Sequence, residues 1–146
     1  MAQTRDSALT LPAALREVIL REARNDQAVE ILAAAGRSSD RLARYLESLI
    51  GAAGARALLQ RSVALTRREH PRLAEVLPRA GTPLQSECLA VAERQGSGVV
   101  MESSVALLVT FVNLLVSFIG ERLTVQVLCH VWPDVAPLLR SKKESP

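Results

Sequence analysis

Apolar residues are concentrated in an uncharged run near the C-terminal end of the chain, from Ser103 to Gly120. Glu102 precedes the run, and Glu121 and Arg122 follow it. A run of this length is typical of a helix at the centre of a helical domain, or of a short membrane span. It also fits a helix with one face against a second copy or a partner protein, because monomers rarely expose a large apolar patch.

The composition of this run favours a soluble helix over a membrane span. Polar residues such as Thr110, Asn113 and Ser117 interrupt it, and its ends lack the Trp, Tyr or Lys anchors of membrane helices. The segments before and after it have the mixed apolar and polar pattern of surface helices. We therefore expect a core or interface helix, with membrane association as an alternative.

The N-terminal half has apolar positions at helical spacing, which predict several helices. The first begins at Leu11-Pro12, because proline is tolerated in a first helical turn. Its pattern thins at 24–26 and resumes up to Gly36, which indicates one helix with a weak middle or two short ones. Ser38 or Ser39 is the predicted cap of the next helix. The apolar stripe of that helix consists of Leu42, Leu46, Leu49 and Ile50.

Two glycines, Gly51 and Gly54, indicate either a turn or a close contact between helices. A turn or kink is favoured, because each glycine costs about 1 kcal/mol in a helix interior. Residues 55–69 then form a strongly amphipathic helix, which His70-Pro71 interrupts. Further on, Thr82-Pro83 matches a capping box for a helix ending near Gln95.

The last predicted helical stretch extends over 99–131 and stops at Trp132-Pro133, because proline disfavours helix in the residue before it. A straight helix of this length would be roughly 50 Å long. A compact domain of this size is roughly 40 Å across. We therefore predict either a kink at Gly120 or a dimer that covers the overhanging part.

Composition agrees with a helical protein. The 146 residues fit one domain, and 49% of them are hydrophobic while 3% are aromatic. A core of Leu, Val, Ala and Ile with few aromatics suits packed helices better than a β-sandwich. The predicted fold is all-α, a compact bundle of five to seven helices around a highly apolar C-terminal helix. Residues 1–139 form the single predicted domain, followed by a disordered tail over 140–146.

Small or weakly polar residues form a narrow line along the apolar helix, at alternating spacings of four and three. Such a line lets two helices approach closely, and a buried Asn in it can fix their register. We predict that this line contacts a partner, and that Trp132 either locks the last helix onto the bundle or anchors the interface. The predicted interface residues are Ala106, Thr110, Asn113, Ser117, Gly120, Thr124 and Trp132. The opposite side of the helix carries Leu108, Phe111, Val112, Leu115, Phe118 and Ile119.

Positive charge is concentrated on one side of the 55–69 helix. The chain has a net charge of +3, and all its basic residues except Lys142 and Lys143 are Arg. Arginine binds phosphate and carboxylate groups with two hydrogen bonds, so this side is a candidate polyanion site. A solvated helix face is the simplest explanation of the pattern, because no aromatic residues interleave for base stacking. An acidic partner protein is a further alternative. The candidate residues are Arg56, Arg61, Arg67 and Arg68.

Catalytic and metal-binding patterns are absent from the sequence. His70 and His130 have no metal-ligand partner at helical spacing, and Cys88 and Cys129 form no CxxC motif. No nucleophile, phosphate-binding or dinucleotide motif occurs. We therefore expect a protein without cofactor or metal that is not an enzyme. The polar N-terminus is unlike a signal peptide, which indicates a cytoplasmic location. The Arg-rich, Lys-poor composition is typical of a bacterial chain.

These observations predict a non-enzymatic protein-interaction or regulatory module. It would act as a homodimer or bind another helical protein through the line of small residues. Two alternatives belong to other classes: nucleic-acid or polyanion binding through the Arg side, and membrane association through the apolar helix.

Overall fold

The computed structural model describes residues 10–71 and 86–135, and in these ranges the protein is helical, with no strand. Five helices pack together, which confirms the all-α prediction. The predicted capping box at Thr82-Pro83 and the predicted tail over 140–146 lie outside the described residues, as do both ends of the 1–139 domain. The helices are α1 (Leu11–Glu22), α2 (Ala28–Glu69), α3 (Ser86–Gln95), α4 (Ser97–Ile119) and α5 (Glu121–Val131).

Helix α1 begins at Leu11, as predicted from the position of Pro12, and ends before the segment 24–26, where the apolar pattern is weak. The Thr10 hydroxyl accepts a hydrogen bond from the Ala13 N–H at 3.3 Å, which satisfies one donor of the first turn. After α1 the chain leaves the helix, and the Gln27 N–H donates to the Asn25 side-chain oxygen at 2.8 Å. The weak middle is thus a true break between two helices.

Helix α2 passes through Gly36, Ser38 and Ser39, so the helix end and the cap predicted at these positions were wrong. The Ser38 hydroxyl is buried and donates to the Ala34 carbonyl at 2.9 Å, which satisfies it inside the helix. Buried apolar residues continue along the helix on both sides of this polar stretch, so packing maintains the helix across it. The helix propensities of these residues indicated a helix boundary, but packing against other helices keeps the segment helical.

Three glycines have almost the same backbone conformation, and each separates two helical segments. The φ and ψ angles are 87° and 159° at Gly51, 93° and 162° at Gly96, and 91° and 161° at Gly120. This region is accessible essentially to glycine alone. The predicted kinks at Gly51 and Gly120 are therefore confirmed, whereas Gly54 stays helical inside α2.

Hydrogen bonds explain how one residue ends one helix and begins the next. The Gly120 N–H donates to the Val116 carbonyl at 2.8 Å, and the Gly120 carbonyl accepts from the Thr124 N–H at 3.1 Å. Gly96 makes the equivalent bonds between α3 and α4. Helix ends leave backbone N–H and carbonyl groups without partners inside the helix. At Gly96 and Gly120 the glycine N–H bonds to a carbonyl of the preceding helix, and the glycine carbonyl bonds to an N–H of the following helix. Two of these end groups are thus satisfied although the regular helix is interrupted.

The core lies between α4 and its neighbours, and α4 packs against every other helix in the described ranges. Phe111 of α4 is fully buried, as are Ile19 of α1 and Leu42 of α2. Leu49, which belonged to the predicted apolar stripe of α2, is instead 53% exposed. It lies in the last turn before the kink at Gly51.

Charged side chains fasten the junction between α1 and α2. The Arg37 guanidinium donates to the Glu30 carboxylate at 2.7 Å and to the Glu22 backbone carbonyl at 3.1 Å. The Arg24 N–H donates to Glu30 at 2.9 Å, and Arg41 forms a further ion pair with Glu22. The bond from the Arg24 backbone, and then the Arg37 guanidinium, hold the pKa of Glu30 below its ordinary value. The same carboxylate raises the pKa of Arg37.

Candidate functional site

Helix α4 has one face in the core and one face towards the surroundings. Seven of its large apolar residues are buried on the core side: Val100, Met101, Leu107, Leu108, Phe111, Val112 and Leu115. Opposite them lies a face whose side chains are half-buried or exposed. We call this the outer face of α4, and it consists of Glu102, Ala106, Val109, Thr110, Asn113, Val116, Ser117 and Gly120.

The outer face lacks charge along most of its length. From Ser103 to Gly120 the chain has no ionisable side chain, so Glu102 is the one charged member of the face. Asn113 and Ser117 are exposed, whereas Val109 and Val116 beside them are half-buried. An uncharged strip bordered by valines is unusual for a helix side in contact with water, since such sides generally carry charged residues.

The predicted interface line is split by the structure into an outward and an inward part. Ala106, Thr110, Asn113, Ser117 and Gly120 lie on the outer face, where they are half-buried or exposed. The helix is interrupted at Gly120, and the continuation of the line beyond this residue is buried in the core.

Two residues of the predicted interface are consequently buried in the chain itself. Thr124 is 1% exposed, and its hydroxyl donates to the Gly120 carbonyl at 2.7 Å. Trp132 is buried at the end of α5, where its carbonyl accepts from the Val135 N–H at 3.1 Å. Its indole N–H has no hydrogen-bond partner among the described residues. Neither side chain is presented at the surface that the outer face forms.

Two large apolar side chains are exposed on either side of the junction at Gly120. Phe118 is 62% exposed in the last turn of α4, and Leu123 is 51% exposed in the first turn of α5. The helical pattern placed Phe118 on the bulky side with Phe111, and Phe111 is indeed buried. Sequence periodicity assigns a side chain to a face but does not tell where along the helix the neighbouring helices end. The exposure of Phe118 was therefore missed.

The Arg side of α2 lies on the second segment of the helix, over 52–69. Arg56, Arg61 and Arg68 are exposed, and Arg67 is half-buried. Ser62 and Thr66 are buried in the same segment, each donating its hydroxyl to the carbonyl four residues earlier. This confirms that the segment is amphipathic.

Ion pairs do not neutralise most of this positive charge. Within the described ranges Arg56, Arg61 and Arg68 form no ion pair, whereas the ion pairs of Arg21, Arg37 and Arg41 lie on α1 and near the α1–α2 junction. Uncharged exposed residues separate the arginines along the helix: Ala57, Gln60 and Ala64. Among the described residues, the guanidinium groups of Arg56, Arg61 and Arg68 are thus exposed and without ion-pair partners.

Two residues of α5, His130 and Cys129, have ordinary surroundings. The His130 ring stacks on Tyr45 of α2, with ring centroids 4.3 Å apart, and this contact ties α5 to α2. The Cys129 thiol is free and half-buried. Among the residues that the structure describes, no three His, Cys, Asp or Glu side chains are grouped so as to hold a metal ion.

An open groove lies where the start of α2 meets the start of α4. Its lining includes the acidic residues Asp26 and Glu93, together with Gln27 and Ser97. Both helices begin here without a side-chain cap. Glu30 lies in the first turn of α2, whereas the first turn of α4 has no acidic residue.

In the described part of the chain, α4 is the one helix long and apolar enough to cross a membrane. Half of its most apolar window is buried inside the protein. Comparison with protein-family models, with curated proteins and with solved structures finds no match. The outer face of α4 and the Arg side of α2 are therefore characterised by their chemistry alone.

Proposed function

We propose that this protein is a non-enzymatic, cytoplasmic interaction module that binds a helix through the outer face of α4. The binding helix belongs to a second copy of the chain or to another helical protein. In this proposal the complete domain is a bundle of five to seven helices around the apolar helix α4, which α5 follows at the C-terminal end of the described residues. No cofactor or metal takes part.

The observation that carries the proposal is the uncharged part of the outer face, which begins after Glu102. Its side chains from Ala106 to Ser117 are uncharged, and the chain's own helices leave them uncovered or half-covered. Water exposure of apolar surface costs about 25 cal/mol per Å², so covering the exposed parts of Ala106, Val109 and Val116 with another helix is favourable. Asn113 and Ser117 then need hydrogen-bond partners in the contact. The small residues in the strip let a second helix approach closely.

The proposal is tested by placing a charge in the centre of the outer face. Asn113→Arg introduces a cation that a docked helix would bury without a partner, so self-association measured by sedimentation should weaken about tenfold or more. Because Asn113 is exposed in the single chain, we expect the free energy of unfolding to change by no more than about 0.5 kcal/mol.

The matched control is Ala64→Arg, which adds the same charge at an exposed position of α2, outside the outer face. This variant should associate like the native chain. Equal association of both variants with the native value would contradict a contact through the outer face. Loss of association in both would point to net charge as the cause.

Polyanion binding through α2 is a second candidate function, supported by the exposed arginines that lack ion pairs in the described ranges. Arg61→Glu combined with Arg68→Glu should weaken binding to an anionic polymer such as heparin, and native binding should fall steeply with added salt. Arg94→Glu combined with Arg16→Glu, at exposed sites on other helices, is the control for net charge. Binding that is insensitive to salt would rule this function out.

Membrane association through α4 has less support. The 23 residues of α4 would extend roughly 35 Å, which matches the hydrocarbon thickness of a bilayer. However, many of its bulky residues are already buried against the other helices, so insertion would first require the bundle to open. Flotation with liposomes, with and without anionic lipid, tests this alternative, and absence of co-flotation removes it.

A further inference from the structure

The Arg side of α2 has arginines on two edges, with a band of small residues between them. With 3.6 residues per turn, Arg56 and Arg67 lie on one edge of the segment over 52–69. Arg61 and Arg68 lie on the other edge, roughly 120° around the helix axis. The band between the edges points away from the core, because the buried residues of this segment are on the opposite side. We call it the alanine strip of α2, and its exposed members are Ala53, Ala57, Gln60 and Ala64.

The charge of this surface is positive along its whole length. From Ser48 to Arg68 the sequence has four arginines and no acidic residue. Arg56 on one edge, and Arg61 and Arg68 on the other, are exposed and form no ion pair within the described residues. A surface with cations along two lines is complementary to an anion whose charges also lie along two lines.

The alanine strip favours a polyanion over an acidic protein. Stable protein interfaces bury roughly 1,200–2,000 Å² and depend on a few large anchoring side chains at their centre. The centre of this surface has three alanines and Gln60, which offer little apolar area to a protein. A phosphate polymer needs no such area, because release of its counterions drives binding to arginine.

The width and composition of the segment indicate which polymer fits. An α-helix with its side chains is about 10–12 Å across, and the major groove of B-DNA is about 12 Å wide. Single strands generally bind by stacking on aromatic residues, and the sequence from Ser48 to Arg68 contains none. The major groove of duplex RNA is too deep and narrow for side chains to read. B-form duplex DNA is therefore the best fit.

We propose that the segment over 52–69 lies in the major groove of duplex DNA. Arg56 then contacts the phosphates of one strand, and Arg61 and Arg68 contact those of the other. The inference rests on polyanion binding, the second candidate function above, and it specifies the polymer and the mode of contact. The small side chains of the alanine strip let the helix approach the groove floor, where Gln60 can bond to the edge of an adenine.

Salt dependence tests whether both edges contact phosphates. Binding of the full chain to a fluorescent mixed-sequence DNA duplex is measured by anisotropy at several salt concentrations. On B-DNA each phosphate contact contributes about 0.9 to the slope of log K against log salt concentration. Arg56→Gln and Arg61→Gln, from opposite edges, should therefore each lower the slope by about 0.9. Arg16→Gln, at an exposed site of α1, is the control and should leave the slope unchanged.

A bulky residue in the alanine strip tests insertion into the groove without changing charge. Ala57→Trp holds the helix away from the groove floor, so affinity for the duplex should fall about tenfold or more. Heparin has no groove, so it should bind this variant like the native chain. Ala13→Trp, at an exposed alanine of α1, should bind both polymers like the native chain. Equal melting temperatures of the variants exclude misfolding as the cause.

Other results overturn the inference and separate it from polyanion binding in general. If Ala57→Trp binds the duplex like the native chain, or if the arginine of one edge alone changes the slope, the segment does not enter the groove, while polyanion binding stands. Single-stranded DNA and duplex RNA should bind more weakly than duplex DNA, and equal binding contradicts recognition of the B-form. If neither heparin nor DNA binds, polyanion binding through α2 fails together with the inference.

Discussion

At the scale of single residues, the three glycine junctions determine how the chain is divided into helices. At Gly120 an added methyl group would meet no atom within 4 Å, so the obstacle to any other residue is the backbone conformation itself. We expect Gly120→Ala to lower the free energy of unfolding by about 1–3 kcal/mol, the usual cost of holding a non-glycine residue in this region. Chemical denaturation measures this change.

Gly98 provides the control, because it lies inside α4 with ordinary helical geometry and has equally free space around it. Gly98→Ala should stabilise the protein by up to about 1 kcal/mol, since alanine loses less conformational entropy in a helix. If Gly120→Ala proves as stabilising as Gly98→Ala, α4 and α5 form a continuous helix and the junction at Gly120 does not exist in solution.

The carboxylate of Glu30 should make stability depend on pH in the acidic range. Its pKa in the folded protein lies below the ordinary value of 4.5, because the Arg24 N–H and Arg37 stabilise the charged form. Its contribution is therefore present above pH 4.5 and is lost as the pH falls through the folded pKa. Native protein should melt at a higher temperature than Glu30→Gln near neutral pH, and the difference should shrink in acid.

Glu17→Gln is a suitable comparison for Glu30→Gln. Glu17 pairs with Arg21 on the surface of α1, an arrangement that typically contributes about 0.2–0.5 kcal/mol. Melting curves of both variants, recorded from about pH 3 to about pH 7, distinguish the contribution of the Glu30 carboxylate from that of the surface pair of Glu17. A difference for Glu30→Gln that grows towards low pH would contradict the lowered pKa of Glu30.

Residues whose effect is local could be predicted from the sequence, whereas positions decided by packing could not. Pro12 and Gly51 constrain their own backbone, so the start of α1 and the break in α2 followed from the sequence. The sequence predicts Ser38 or Ser39 as a helix cap, but the Ser38 hydroxyl instead bonds to the Ala34 carbonyl inside the helix. Which of these occurs depends on whether the surrounding turn is packed against other helices.

At the scale of helices, α4 is defined by the contrast between its two faces. Phe111→Ala removes a fully buried side chain and should lower the free energy of unfolding by about 3–5 kcal/mol. Phe118→Ala changes the same residue type on the same helix at an exposed position, and should cost no more than about 0.5 kcal/mol. Urea denaturation at low protein concentration measures both.

Comparable losses for the two phenylalanine variants would mean that Phe118 is also covered in solution. A small loss for Phe111→Ala would mean that α4 turns a different face to the core. The experiment thus checks which face of α4 is in the core, on which the definition of the outer face depends.

Helix α4 shows which side-chain positions can be predicted from helical periodicity and which cannot. The uncharged run identified the helix, and the spacing of Leu108, Phe111 and Leu115 correctly placed these residues on one side. Thr124 continued the line of small residues in the sequence, yet beyond the junction at Gly120 it is buried in the core. A periodic pattern extrapolates correctly only as far as the helix continues without interruption.

At the scale of the whole molecule, composition was sufficient to predict an all-α fold, because few aromatic residues and many Leu, Ala and Val suit helix packing. Composition could not indicate which surface stays uncovered, since that depends on the arrangement of all helices together. The apolar run was compatible with core, interface and membrane placements. In the structure α4 combines a core face with an outer face that is half-buried or exposed, and the proposed function rests on the outer face.

The measurement that most directly tests a contact through the outer face is the mass of the native chain in solution without detergent. Light scattering coupled to size exclusion, over a concentration series, gives this mass. We expect a value near twice the chain mass of 15.8 kDa, falling towards one chain on dilution. A mass of one chain at every concentration would contradict self-association through the outer face of α4.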